Sequence, residues 1–203
     1  ASISATLQFL PEDLGSFSQI HSHIKIDLQE QLSVQVLQAV QNGQADVGIG
    51  SFIHGFSNLQ TQPYRQDQLA VVMPRQHALA QRSTLLFSDT LHEDHVGLHD
   101  DSSVLQAMQH AAQMAGLPIR LRMQVSGLDA MCRMIANGLG VGVMPARAFH
   151  LIHGTGDLVG IALTDAWAER TLELVARDFA TLPQPARLLV EHLTASAESP
   201  PAS

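Results

Sequence analysis

VSGLDAMCRMIANGLGVGVMP, Val125 to Pro145, runs without a spacer from a polar helix start through an amphipathic helix and a glycine stop into a short apolar strand. Ser126 is a good N-cap, because a short side-chain oxygen can accept from the free N–H groups of a first helical turn. Leu128, Met131, Cys132 and Ile135 recur at the i, i+3, i+4, i+7 spacing that lays apolar side chains along one helical face. Gly138 then stops the helix where a left-handed backbone is favoured. Val141 and Val143, spaced by Gly140 and Gly142, form a strand that another backbone or a ligand can approach closely, and Pro145 ends it.

Two other segments share this grammar. Ile24 to Gln29 alternates as a strand, Ser33 caps a helix carrying Val34, Leu37 and Val40, and after Asn42-Gly43 the apolar strand ADVGIG (Ala45 to Gly50) contains one acid. The strand His95 to Leu98 leads through the turn His99 to Ser103 into a helix from Val104 to Ala115, stopped by Gly116 with Pro118 beyond. The strand Leu121 to Val125 feeds the opening segment. Strands alternating with helices of this length predict an α/β fold around largely parallel sheets. Two apolar strands stand outside the units: one within Gln68 to Ala80, stopped by Pro74, and a matching one from Thr171 to Arg177. Pro183 and Pro185 precede a final helix with Leu188, Leu189, His192 and Leu193, and the small polar tail from Ala195 to Ser203 is expected to fray. No Pro-, Gly- or Ser-rich linker interrupts the middle, so two domains would be joined by strands.

The 203 residues fit one ordinary domain or two small ones, and 45% hydrophobic residues suffice for a core. The chain shows neither an apolar run near the ~20 residues that span a bilayer nor the layout of a signal peptide. That implies a cytoplasmic location, although a chain whose leader had been removed would look the same. Eleven Lys and Arg against 19 Asp and Glu give a net charge of −8, and basic residues are not clustered, which argues against this chain gripping nucleic acid by itself. Arg120 and Arg122, alternate residues of a strand, share one solvated face. The single Cys132 rules out an intrachain disulfide and, on an apolar helix face, reads as core packing.

Histidine invites a metal reading, since HEDHVGLHDD (His92 to Asp101) holds three His and four acids. Strand geometry opposes it, because successive side chains point to opposite faces, and the pairs His21/His23 and His150/His153 are isolated. No metal is expected. GLGVG, Gly138 to Gly142, follows a helix and opens a strand, the reverse of a dinucleotide loop, and Val143 stands where a third glycine is needed, so no nucleotide cofactor is expected. No G-x-S-x-G elbow or recognisable order of Ser, His and acid marks a nucleophile. What remains is a set of hydroxyls at helix starts following strands: Thr6, Ser33, Ser102 with Ser103, and Ser126. Each could simply cap its own helix. Together, at strand ends, they describe a cleft for a small anion, because helix starts offer free N–H groups and a partial positive charge.

These residues also carry a family resemblance. From about Ile3 to Leu193 the chain resembles the effector-binding domain of LysR-type transcriptional regulators. The markers stand in the family's order: LPEDLGSF, LQEQLSVQVLQAVQNGQADVGIG, LAVVMPRQHALA and VSGLDAMCRMIANGLGVGVMP, with Ala78 where the family usually has Pro. The family's N-terminal winged helix-turn-helix has no counterpart here, so the chain resembles one domain of a longer regulator. The resemblance implies two Rossmann-like subdomains with a central cleft, similar to type 2 periplasmic binding proteins. Subdomain I would hold residues 1–72 and 173–203 and subdomain II residues 73–172, with crossover strands near 68–74 and 171–177. Carried over by position, the effector-binding candidates are Thr6, Leu7, Ser33, Ser51, Phe52, His99, Ser102, Ser103, Ser126, Met144 and Pro145.

The resemblance further implies an allosteric, non-catalytic sensor without cofactor. It would bind a small organic effector, a carboxylate or other small anion, and associate as a homodimer or homotetramer. DNA would be met only through the absent N-terminal domain, and no membrane would be involved. With no basic residue at a helix start, a neutral polar effector stays open. A solute-binding protein of a transport system is the first alternative. An enzyme on the same scaffold, with His99 as its acid or base, is the second.

Overall fold

The computed structural model describes residues 1–52, 58–152 and 156–197. The chain divides into two compact units, Ala1–Gln66 with Thr171–Ser203, and Asp67–Arg170. The divisions fall at 66/67 and 170/171, against the 72/73 and 172/173 expected from the sequence.

The first unit opens with helices α1 (Ile3–Gln8) and α2 (Leu10–Ile20), followed by α3 (Ser33–Gln41) and β1 (Gly48–Gly50). Strand β2 (Gln60–Pro74) leaves the unit, β8 (Glu169–Ala176) returns to it, and α7 (Gln184–Ala197) completes it. Strand β1 pairs antiparallel with β8, Ile49 opposite Leu174. Leu10, Ile49, Tyr64, Leu174 and Leu193 form its core. Helix α3 lies close on the strand pair because Gly48 has no side chain. A Cβ there would sit 2.6 Å from Val36 Cγ1 and 2.7 Å from Val175 Cγ1.

Two expectations fail in this unit. Residues 1–8 contain no opening strand: Ser2 caps α1, accepting from the Ala5 N–H, and Thr6 lies inside the helix with its hydroxyl donating to the Ser2 carbonyl at 3.0 Å. Ile24–Gln29 alternates correctly but is not a strand. A strand needs a neighbour to accept and donate. Among the described residues the chain meets one only at its end, where the Ala1 amino group donates to Gln29 O at 2.7 Å and Gln31 N–H to Ala1 O at 2.9 Å.

The second unit holds β3 (Thr84–Leu85), β4 (Asp94–Gly97), α4 (Ser103–Met114), β5 (Arg120–Gln124), α5 (Leu128–Ala136), β6 (Gly142–Pro145), α6 (Ala146–Leu151) and β7 (Leu158–Leu163). Its part of β2 runs antiparallel to both β6 and β7, while β3–β7 and β4–β5 are parallel. The sheets are therefore mixed rather than largely parallel. The strands that carry the chain between units run against the βα repeats, a reversal that local periodicity does not record. A parallel bridge, His95 to Val141, ties β4 to the start of β6. Gly140, at φ +139°, makes this possible, since a Cβ on it would lie 2.2 Å from Asp94 O. The buried apolar face of α5 is formed by Leu128, Met131, Cys132 and Ile135, as the spacing predicts, and Gly138 stops the helix at φ +76°.

Candidate functional site

Strand direction gathers the second unit's candidates. Strands β4 and β5 are parallel, and β6 runs with β4 through the His95–Val141 bridge. Their carboxyl ends therefore lie at one end of the unit, and the segments that follow them carry His99, Ser102 and Ser103, then Ser126, then Pro145. Ligands of open α/β sheets collect at such ends. Val125 N–H donates to Gly97 O at 2.9 Å, and Gln124 Nε2 donates to Leu98 O and to Asp100 Oδ1, so the two loops are tied together. Antiparallel pairing of Leu69 with Pro145 brings the start of this part of β2, and with it Asp67, to the same end.

Helix α4 begins there without a side-chain cap. Ser102 is its N-cap and only 7% exposed, yet its hydroxyl makes no cap bond. Ser103 is the first helical residue and accepts from Arg170 Nη1 at 3.4 Å. The Arg170 side chain is 7% exposed. Its Nη2 is paired with Asp67, and its Nε has no hydrogen-bond partner among the described residues. No acid sits in the first turn of α4. A basic group thus stands at a helix start after all, contributed from 67 residues along the chain. Sequence spacing gives no sign of it. Only the burial of an Arg inside an apolar strand, ERTLELVA, marks it as unusual.

The other candidates of this unit are less uniform. His99 is exposed, and its carbonyl accepts from the Ser102 N–H, closing the turn. Ser126 is not the cap of α5. Gly127 is, in an extended conformation, which leaves the Ser126 side chain exposed one residue before it. Met144, one of the effector-binding candidates, is fully enclosed, its Sδ 3.7 Å from Cys132 Sγ, so it has no face to give a ligand. Burial pushes the Cys132 thiol up to about 11, consistent with a packing role. Pro145, also buried, closes β6 against Leu69.

In the first unit Ser33 is the first residue of α3 rather than its cap. Leu32 caps with its backbone N–H, donating to Gln35 Oε1 at 3.3 Å. The Ser33 hydroxyl and the Phe52 ring both lie beside Gly50 at the end of β1, 3.3 and 3.0 Å from where its Cβ would be. Ser51 follows directly, half-buried. Thr6 and Leu7 sit a turn into α1, and the Thr6 hydroxyl is engaged by its own helix. The hydroxyl at this helix start is Ser2, 5% exposed, whose N–H donates to Ile49 O at 2.7 Å. Placing Thr6 at this helix start, after a strand, passes over Ser2. Among the described residues no group of three or more His, Cys, Asp or Glu could hold a metal ion, and His153 lies outside them. No helix among them is long and apolar enough to cross a membrane.

A family model described as the LysR substrate binding domain matches residues 1–198. Over 158 residues the chain is 25% identical to the HTH-type transcriptional regulator CysL of Bacillus subtilis (strain 168), covering 75% of this chain and 52% of that protein. The chain spans about half the length of the curated relatives it matches. The CcmR regulatory domain of Synechocystis PCC6803, solved in complex with 2-PG, superposes with a TM-score of 0.88 at 22% identity, over 99% of this chain and 96% of that one. The effector binding domain of QuiR in complex with shikimate does so with a TM-score of 0.82 at 15% identity, over 97% and 94%. At these identities the likeness shows the fold, which is similar to that of type 2 periplasmic binding proteins.

Proposed function

We propose that this chain, which belongs to the LysR substrate-binding-domain family, is the effector-sensing part of a transcriptional regulator and that its effector is a small organic acid. The observation that carries the reading is the start of α4, where the buried Arg170 guanidinium, its Nε without a partner among the described residues, reaches the Ser103 hydroxyl, next in the chain to an N-cap, Ser102, whose hydroxyl makes no cap bond. The first N–H groups of any helix lack intrahelical acceptors, and the helix dipole favours negative charge beside them. An acid group placed there would use all of these donors. His99 and Ser126, on the neighbouring loops at the same strand ends, are free to meet the rest of the molecule.

Two solved relatives, CcmR with 2-PG and QuiR with shikimate, support the class of ligand, since each was captured with a small molecule. Effector binding would shift the populations of two states of the domain, and a DNA-binding domain in the whole regulator would read the shift.

A thermal-shift screen tests the reading. Small carboxylates and phosphorylated acids, shikimate among them, are compared with neutral polyols of similar size. A true effector at about 100 times its Kd stabilises by about 2.7 kcal/mol and raises Tm in proportion to the logarithm of its concentration. If no compound of either kind raises Tm, the sensing role fails. If only neutral compounds do, the sensor stands and its ligand class is wrong.

A further inference from the structure

Arg170 is the last residue of the second unit and Asp67 its first, so their ion pair joins the two points where the chain crosses between units. Both side chains are almost wholly buried, 7% and 1% exposed. A guanidinium offers five N–H donors in a fixed fork, and each donor left idle in the interior carries a desolvation cost. Here Asp67 engages Nη2, Ser103 is reached from Nη1 only at 3.4 Å, and Nε has no partner among the described residues. Ser102, directly before Ser103, is 7% exposed, and its hydroxyl makes no cap bond. A buried guanidinium N–H is therefore left unused where Arg170 reaches the start of a twelve-residue helix whose N-cap hydroxyl makes no cap bond.

We infer that Arg170 is an anion-recognition residue, and that an oxyanion of the effector, a carboxylate or a phosphate, shares its guanidinium with Asp67 while accepting from Ser102 and the first turn of α4. The inference rests on the effector-sensing role proposed above and adds to it the residue that selects the charge. It also supplies a coupling. An oxyanion that competes with Asp67 weakens the tie between the two crossing points of the chain. Charge-assisted hydrogen bonds of this kind are about twice as strong as neutral ones, so the guanidinium responds to a new anion more than a hydroxyl would. Asp100 and Asp101, just before the helix, oppose casual binding of anions at the surface. Asp100 is held by Gln124 Nε2 at 2.6 Å and Asp101 is exposed, so only an acid reaching the buried donors gains from the site.

The test uses the chain as described, with inorganic phosphate and then any acid found by the thermal screen as probes. The Arg170 Nε–H resonance, assigned by its loss in Arg170→Lys, is followed by NMR during titration, and affinity is measured by calorimetry. Phosphate is expected to displace that resonance. Ser102→Ala is expected to weaken binding about tenfold, the loss of one buried hydrogen bond. Asp67→Asn, by removing the competitor, should tighten it, a sign that a purely structural ion pair would not produce. An unmoved resonance at any tolerated phosphate concentration overturns the inference, as does equal or weaker binding by a folded Asp67→Asn. Should that variant fail to fold, the wild-type resonance decides alone. An acid that raises Tm without moving the resonance leaves the sensing role standing and removes Arg170 from it. Phosphate that moves the resonance when no organic compound raises Tm does the reverse.

Discussion

His95 is enclosed beneath the 3-10 turn Phe87–Thr90, its Nδ1 3.1 Å from Glu93 O and its Nε2 3.2 Å from Thr90 Oγ1. Burial lowers its pKa from the ordinary value of 6.5, only partly offset by the Glu93 carbonyl and the charges of Glu93 and Asp94. Below 6.5 the unfolded chain takes up a proton that the folded chain resists, so stability falls as pH drops from 6.5 toward the lowered folded value. Thermal denaturation of the wild type should show this acid-side loss, and His95→Gln should flatten it above about pH 5, where carboxylates do not yet titrate. Equal slopes for the two proteins would remove His95 as the cause. The sequence marked His95 as one of three closely spaced histidines but not as the buried one. Strand alternation assigns faces, and only the helix and turn packed on a face decide whether it is dry.

At the scale of elements, the join between β4 and β6 depends on Gly140. Its φ of +139° and the 2.2 Å from its missing Cβ to Asp94 O make it intolerant of any side chain, because the obstacle is backbone. Two 2.8 Å bonds, Val141 N–H to Asp94 O and Val96 N–H to Val141 O, form across that contact. Gly140→Ala should destabilise the domain by about 2–4 kcal/mol in urea denaturation. Gly116→Ala, at φ +72° with open space around it, should cost only about 1–2 kcal/mol, the conformational penalty alone. Equal costs would mean that close approach is not what Gly140 provides. The glycines from 138 to 142 were legible as a helix stop and a tightly packed strand because both roles are local. Strand pairing is not local, which is why Ile24–Gln29 has the alternation without the ladder and why β7 and α6 were not foreseen.

At the scale of the molecule, Asp67 and Arg170 close the base of the second unit through a buried ion pair. Removing one member of such a pair leaves its partner's charge in the interior, so Arg170→Met should cost about 3–5 kcal/mol. Replacing both, in Asp67→Leu with Arg170→Met, should recover most of that, since apolar residues of similar volume commonly substitute for a buried pair at little cost. Denaturant midpoints of the three proteins check the prediction, and a double variant no more stable than the single one would contradict it. Sequence by itself determined the βα grammar, the apolar faces of the helices, the glycine stops and the family. Each of these is carried by residues within a few turns of one another or by an ordered set of motifs. Tertiary structure alone decided which hydroxyls cap a helix, that Met144 is core, that Ser2 rather than Thr6 begins α1, and that Arg170 stands at the start of α4. Those outcomes depend on burial and on partners distant along the chain, and desolvation, which has no sequence period, sets them.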